Sequence, residues 1–461
     1  GFEDARASEL ADAAKDFDTA IQSPGFAGVP EDRRYQTRRA AGQIASQDKR
    51  YDAALDLLKQ ATAADDADGD AWQSRFSAAY ALQDYADSAR STLMLAKHWP
   101  DKLDQIDDSA IYQLNAYFEG NKGQGRLQQD LLQALFDAKW KDKNGEPGFL
   151  WRDLTRMLLE QGDISDAKTV AARITNARVA LAMRVDKMFD PITRDNKDRY
   201  DIDRRFAEEI AAARAKAKAT PDKLAPLTDL QSLLIDTLQF NETVAIGDDI
   251  IVKHKNGKSS EYKDFDDQYI WVLDQRAYAL KRLGRWDEAT EQLERAARRP
   301  EDGVMNVSQI INLGFLYAEL GQPDKALGMV DDLGPMSTYG RMQLEMVRLM
   351  AAVEKQDKPT IAGELAYMRE HRTDAIGTWE DALLMVDDMD GAANLVIERL
   401  NNPDWRNDVI AEAQQYAEVR EAPVESQMEK KWRAILARPD VRKVLTKYCR
   451  IEHFNVERER D

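Results

Sequence analysis

Apolar positions in this 461-residue chain recur at spacings of three and four along most of its length, the period of one face of an α-helix. Tyr51, Ala54, Leu55, Leu58 and Ala61 form one stripe. An Asp-rich break over 64–70 follows, suited to capping the next helix. Trp72, Phe76, Ala79, Tyr80 and Leu82 make a second stripe. Tyr85, Ala89, Leu93 and Leu95 make a third, which stops at Trp99-Pro100 because proline cannot continue a helix. The pattern predicts pairs of helices, each of about a dozen residues, joined by short turns.

The turns carry a motif. Asn312-Leu313-Gly314-Phe315-Leu316-Tyr317 is followed by Gly321-Gln322-Pro323-Asp324-Lys325-Ala326. Leu283-Gly284-Arg285-Trp286-Asp287-Glu288-Ala289 leads to Leu293 and Ala296. Trp151, Leu154 and Leu158 lead to Gln161-Gly162-Asp163-Ile164-Ser165-Asp166-Ala167, and Trp72 leads through Asp84-Tyr85 to Pro100. Small residues such as Gly42, Gly314, Ala167, Ala289 and Ala326 let two helices approach, and large ones such as Trp72, Trp151, Leu158 and Tyr317 fill the space beside them. Gly42 and Phe76 lie 34 positions apart, and Ala277 and Gly314 lie 37 apart.

This pattern resembles the tetratricopeptide signature of a large aromatic, Leu-Gly and Tyr in a first helix, then Ala, an aromatic and Pro in a second. The resemblance, of a divergent bacterial type, implies an all-α fold: a right-handed α-α superhelix of about seven to nine helical hairpins with a C-terminal helical cap. Four or five hairpins carry recognisable motifs. Others are expected from periodicity alone, near Ile106–Phe118 with Arg126–Ala138, Leu230–Leu238 with Asn241–Lys253, Met346–Glu354 with Thr360–Arg369, and Trp379–Val386 with Gly391–Leu400.

Interruptions divide the chain. Lys141–Gly148, Asp190–Asp201 and Lys255–Asp267 read as polar loops, and Ala217–Pro226, with Pro221 and Pro226, reads as a bend. The expected organisation is N-terminal repeats over 1–185, an irregular helical middle over 186–265, C-terminal repeats over 266–420, and capping helices with a tail over 421–461. Val456–Asp461 is charged and is expected to fray.

Composition narrows the function. Hydrophobic residues make up 43% of the chain, enough for a continuous core, and no stretch reaches the length of a membrane span. A formal charge of −18 disfavours nucleic acid and anionic membrane surfaces as partners. The single cysteine, Cys449, permits no intrachain disulfide. The start Gly1-Phe2-Glu3-Asp4 has neither Met nor an apolar leader, and reading it as a processed end favours a bacterial periplasm or cell envelope over the cytoplasm.

Motifs for chemistry are scarce. His98, His254, His371 and His453 are dispersed, and Cys449 with His453 makes only a two-residue set. Asp66-Ala67-Asp68-Gly69-Asp70 has part of a calcium-loop pattern, but Ala64 and Arg75 stand where ligands belong. Gly120-Asn121-Lys122-Gly123-Gln124-Gly125 lacks the preceding strand of a phosphate loop. No catalytic set, metal site or cofactor is therefore expected.

The resemblance implies a concave groove, lined by first helices, that binds a peptide or helix of another protein. Residues one turn off the core stripe are Arg39, Gln43, Gln73, Ser77, Tyr80, Arg152, Arg156, Trp271, Tyr278, Lys281 and Phe315. Their Arg and aromatic content suits an acidic or amphipathic partner segment. The Lys, Asn and Arg set of the family's carboxylate clamp is not found. The expected function is a non-enzymatic scaffold or adaptor. The alternatives are a polysaccharide-associated envelope protein, which aromatic clusters in the groove would favour, and an enzyme built on a helical superhelix.

Overall fold

The computed structural model describes residues 2–65, 67–300, 305–331 and 333–458. Gly1, Asp66 of the acidic turn and residues 459–461 lie outside the described residues. The described chain is all-helical, with isolated bridges and no strand. It divides into two compact units, Gly1–Thr175 and Asn176–Asp461.

Unit 1 begins with α1 (Phe2–Gln22). Four helix pairs follow: α2 (Glu31–Gln47) with α3 (Tyr51–Ala61), α4 (Gly69–Ala81) with α5 (Tyr85–His98), α6 (Asp108–Glu119) with α7 (Gly125–Asp137), and α8 (Gly148–Glu160) with α9 (Ile164–Ala171). Unit 2 opens with α10 (Ala177–Val185), α11 (Asp190–Thr193) and α12 (Ile202–Ala219). Five pairs come next: α13 (Ala225–Asp236) with α14 (Phe240–Lys255), α15 (Phe265–Arg282) with α16 (Trp286–Ala297), α17 (Val307–Glu319) with α18 (Pro323–Met329), α19 (Thr338–Glu354) with α20 (Lys358–Glu370), and α21 (Ile376–Met385) with α22 (Met389–Asn401). Then come α23 (Arg406–Glu412), α24 (Pro423–Ala437) and α25 (Pro439–Tyr448). The nine pairs among the described residues fall within the expected seven to nine, and the four pairs expected from periodicity alone are all present.

One turn geometry recurs in eight of these pairs. The first helix ends in a residue at positive φ: Lys49, Gln83, Gly162, Leu238, Gly284, Gly321, Gln356 and Asp387. Glycine reaches this left-handed conformation without a Cβ clash, whereas the other five strain against it. Five residues later, in the first turn of the second helix, stand Ala54, Ser88, Ala167, Thr243, Ala289, Ala326 and Ala392, each at 0% exposure; only Ile361 breaks the rule. A small side chain there lets the second helix close on the first. Gly42 makes the same approach from the first helix, since a Cβ on it would stand 2.6 Å from Leu58 Cγ.

Side chains from several helices complete each core. Trp151, at 0% exposure, donates through Nε1 to Glu146 at 3.0 Å and lies edge-on to Phe136. Asp84, Asp163, Asp357 and Asp388 cap the second helices through their carboxylates.

The expected bend near Pro221 and Pro226 is a tight connection, with α12 and α13 packed directly together and Pro226 in the first turn of α13. The expected fraying is also corrected. Val456 and Glu457 are each 1% exposed, and the Glu457 amide donates to the Asp236 carbonyl at 2.8 Å.

Candidate functional site

The first helices of successive pairs adjoin one another as a row in each unit, called the inner row below, and the expected groove residues divide between the two rows. In unit 1 the row is laced by side-chain hydrogen bonds. Gln43 donates to Ser74 at 3.1 Å, and Gln73 to Gln105 at 2.7 Å. Tyr80 hydrogen-bonds Gln113, which donates in turn to Tyr85 at 2.8 Å. Asn115 donates to Asp153 at 2.9 Å.

The charged candidates of unit 1 already have partners. Arg39 is ion-paired to Asp68, Arg152 stands 3.4 Å from Asp153, and Arg156 stands 3.1 Å from Glu160. Ser77 and Gln113 are exposed, and Phe149 is 45% exposed beneath Arg152. Tyr80, Tyr85 and Tyr117 pack in sequence, with ring centroids 5.9 and 5.4 Å apart and steep interplanar angles. Their hydroxyls are engaged by Gln113 and Gln124, so the rings form a packed edge and not a flat platform for a sugar.

Unit 2 carries its own segment on its inner row. After α23 the chain runs extended from Gln415 into α24, which packs against α17 and α21, while α25 covers α22. The segment beyond α25 returns beside this stretch: the Gln415 amide donates to the Glu452 carbonyl at 3.0 Å, Phe454 to Gln415 at 2.8 Å, and Ala417 to Val456 at 3.1 Å. Residues 412–458 are called the arm below.

Tyr278 and Lys281, expected to meet a partner, meet the arm. Tyr278 donates to Glu457 at 2.8 Å. Lys281 lies 2.7 Å from Glu319 and 3.3 Å from Glu425. Arg282 reaches Glu425 at 2.7 Å and Glu457 at 2.9 Å. A second ionic knot joins Arg399 to Glu380 and to the arm's Glu412, both at 2.8 Å. Burial pushes the Glu380 carboxyl up to about 8 against the pull of Arg399, with Glu412 adding to the rise. Burial likewise raises Glu319, against Lys281. Lys431 of α24 donates to the Leu384 carbonyl at 2.8 Å and pairs with Asp387.

Beside the arm a cleft of about 1280 Å³ remains open. Phe315, Met346, Met350, Leu384 and Met385 of the inner row line it together with Val424 and Met428 of α24. Of the candidates, Tyr278, Lys281 and Phe315 line this cleft; Trp271, 40% exposed, does not. Nothing in the sequence spacing marks the methionines, whose role depends on α24 lying opposite them.

Among the described residues no group of three His, Cys, Asp or Glu is placed to hold a metal. Cys449 is buried, and burial with the nearby Asp186 carboxylate pushes its thiol up to about 12, which makes it unreactive. Asp68 caps α4 and Asp70 pairs with Lys102, so two of the described acids of the 64–70 turn have structural roles. No described helix is long and apolar enough to cross a membrane.

No protein-family model matches the chain, and no curated protein matches it. Among solved structures it is similar to the APC/C hetero-tetramer Cut9–Hcn1, at 12% identity over 97% of this chain and 94% of that one, with a TM-score of 0.25. It is similar to Naa15/Naa10 bound to HypK-THB, at 12% identity over 93% of this chain and 65% of that one, with a TM-score of 0.24. Yeast Tom70 is similar at 12% identity over 91% of this chain and the whole of that one, with a TM-score of 0.24. At these scores the class of the protein rests on its own geometry. The recurring left-handed turn and the small residue five positions on define a stack of tetratricopeptide-like helix pairs.

Proposed function

We propose that this chain is a non-enzymatic scaffold that holds amphipathic segments of other proteins on the inner rows of its helix pairs. The observation that carries the reading is the arm. The inner row of unit 2 already seats a peptide-like element, extended over 415–422 and helical over 423–437, through ion pairs at 2.7–3.3 Å to Lys281 and Arg282. Lys281 and Arg282 are engaged by the arm, so the arm shows the kind of segment this type of face can seat, and a partner in trans would use the surfaces the arm leaves open. The acidic chemistry expected of a partner is supplied in unit 2 by Glu425 and Glu457 of the chain itself. Of the expected row in unit 1, Ser77 is exposed, as are Gln113 and Phe149 of the same row, while Gln43, Gln73, Tyr80, Arg152 and Arg156 are engaged within the chain; in unit 2 the cleft is open.

A photo-reactive amino acid placed at Ser77 or Phe149 tests the reading. In cells of the source organism it should give discrete protein adducts, while the same group at Arg90, exposed on α5, should give none of them. Identical adduct patterns from all three positions would overturn the inner-row assignment.

A further inference from the structure

We propose that residues 449–457 are a detachable strap, which fills in cis a seat for an extended acidic segment on unit 2 and lifts to admit one. The inference rests on the scaffold reading and gives one of its faces a regulator. The strap holds no helix. Phe454 and Val456 are buried while Ile451, His453 and Asn455 are exposed, the alternation of an extended segment laid on a surface with one side to solvent. Its holds are distant in sequence. At one end the Arg450 amide donates to the Val185 carbonyl at 2.9 Å, Arg450 pairs with Asp190, and Glu452 stands 2.7 Å from Arg184. At the other, the Glu457 carboxylate meets Tyr278 at 2.8 Å and Arg282 at 2.9 Å. Between them the strap exchanges three main-chain hydrogen bonds with Gln415 and Ala417.

Lifting the strap strands no buried ion. Arg282 keeps Glu425 at 2.7 Å, and Arg184 keeps the Tyr200 carbonyl at 3.0 Å. Arg450, Glu452 and Asp190 are already partly exposed, and Glu457 would pass into water. The helix α24 is different, because it carries the Glu425 that Lys281 and Arg282 share, and its departure would strip both. A segment with few buried side chains and one open side is of the kind that opens locally while its domain stays folded. The vacated seat offers one carboxylate place on Arg184, another on Arg282, and the main-chain groups of Gln415 and Ala417. It fits an extended segment with two acids five residues apart and an apolar side chain between them, the pattern of Glu452, Phe454 and Glu457. A seated strap competes at an effective concentration on the order of millimolar, and it confines a partner to the surfaces the arm leaves open.

The test uses the full chain and its single cysteine, Cys449, which is buried at the start of the strap beside Asp186. Phe454→Ala should speed the reaction of Cys449 with N-ethylmaleimide by at least about tenfold. Glu452→Arg, a change at the surface, should speed it by about threefold. In both variants hydrogen exchange should leave α13–α22 protected. A fluorescein-labelled peptide of residues 449–458 carrying Cys449→Ser should bind the Phe454→Ala protein saturably, and at least about tenfold more tightly than the unaltered protein. The same peptide with Glu452→Arg and Glu457→Arg should bind neither. Loss of protection throughout α13–α22 would make the strap part of the core and overturn the proposal. Equal affinity of the native peptide for both proteins, or binding to neither, would overturn it as well. Protein adducts at Ser77, in unit 1, would persist in that event and leave the scaffold reading standing.

Discussion

In unit 1 the inner row is joined by amides and hydroxyls: Gln43 to Ser74, Gln73 to Gln105, Tyr80 to Gln113. In unit 2 the corresponding helices bury Glu380 and hold the half-buried Lys281 and Arg282 in ion pairs with the arm. The helix pairs are alike, so the difference lies in what covers them. A neutral amide link sits in water at little cost and holds whether or not a ligand arrives. Buried ions do not, because removing one partner leaves an uncompensated charge. Unit 1 is thus finished while open to solvent, and the inner row of unit 2 is complete only with its arm in place.

That contrast breaks most visibly at Arg399. Arg399→Ala leaves Glu380 and Glu412 facing one another without their shared cation, and should cost unit 2 about 3–5 kcal/mol. Hydrogen exchange under denaturant should show protection lost across 176–458 and retained in 10–171. Loss spread equally over both units would contradict the independence of their cores. Trp151→Ala is the mirror experiment. It empties the space beside Phe136 and Arg173 and should cost unit 1 about 3–5 kcal/mol, with unit 2 unmoved in the same assay. Gly42→Ala should cost unit 1 about 1–3 kcal/mol through the clash with Leu58, read as a lower denaturation midpoint.

The units should also differ in acid and base. Among the described residues the carboxyls pushed upward all lie in unit 2: Glu209 to about 7, Glu364 and Glu380 to about 8, with Glu319 and Glu421 also raised. For Glu364 the cause is burial first, then the hydrogen-bonded Glu345 carboxyl. A carboxyl raised by folding holds its proton more tightly in the native state. Its stabilisation is complete below the ordinary value of 4.5 and is lost as pH climbs through about 8. Unit 2 should therefore melt at a lower temperature at pH 8 than at pH 5. Glu364→Gln should flatten part of that slope, raising Tm at pH 8 and leaving it unchanged at pH 5. In unit 1 the shifted carboxylates Asp70 and Asp107 are lowered, by Lys102 and by Ser109, and push the other way.

The smallest effect sharpens the likeness between the units. Gln83 and Gln356 sit at φ 60° and 56° in the same turn, one in each unit. Replacing either by Gly should stabilise its own unit by a few tenths to about 1 kcal/mol, and by similar amounts. Denaturant midpoints that move in opposite directions would show that the two turns are not equivalent.

These turns also explain what the sequence reveals. Where the left-handed position is glycine, as at Gly162, Gly284 and Gly321, the helix pair announces itself in the letters. Where Lys49, Leu238 or Asp387 takes the same backbone, the motif vanishes while the geometry persists. Apolar periodicity still recovers those pairs, because packing constrains the stripe more tightly than the turn residue. The arm is a different case. Pro423–Ala437 reads as a helix, but its seat on α17 and α21 depends on contacts more than a hundred positions away, such as Arg282 to Glu425. No local pattern encodes that distance. The expected set accordingly includes Tyr278 and Lys281 and misses both the carboxylates that engage them and the methionines beside them.

The return of the arm has a consequence for synthesis. Arg184 pairs with Glu452, 268 positions later, and the Arg450 amide donates to the Val185 carbonyl. Every helix pair of unit 1 can form as it leaves the ribosome, because its contacts are local. Unit 2 must wait. From the emergence of α10 to that of Glu452 its inner row stays uncovered, on the order of tens of seconds at ordinary translation rates. During that interval Met346, Met350 and the cations the arm will pair are open to solvent and to chaperones, and the nascent chain is at its most prone to aggregate. Synonymous changes that slow translation within 400–458 should lower the soluble yield of the whole chain more than equal slowing within 1–60.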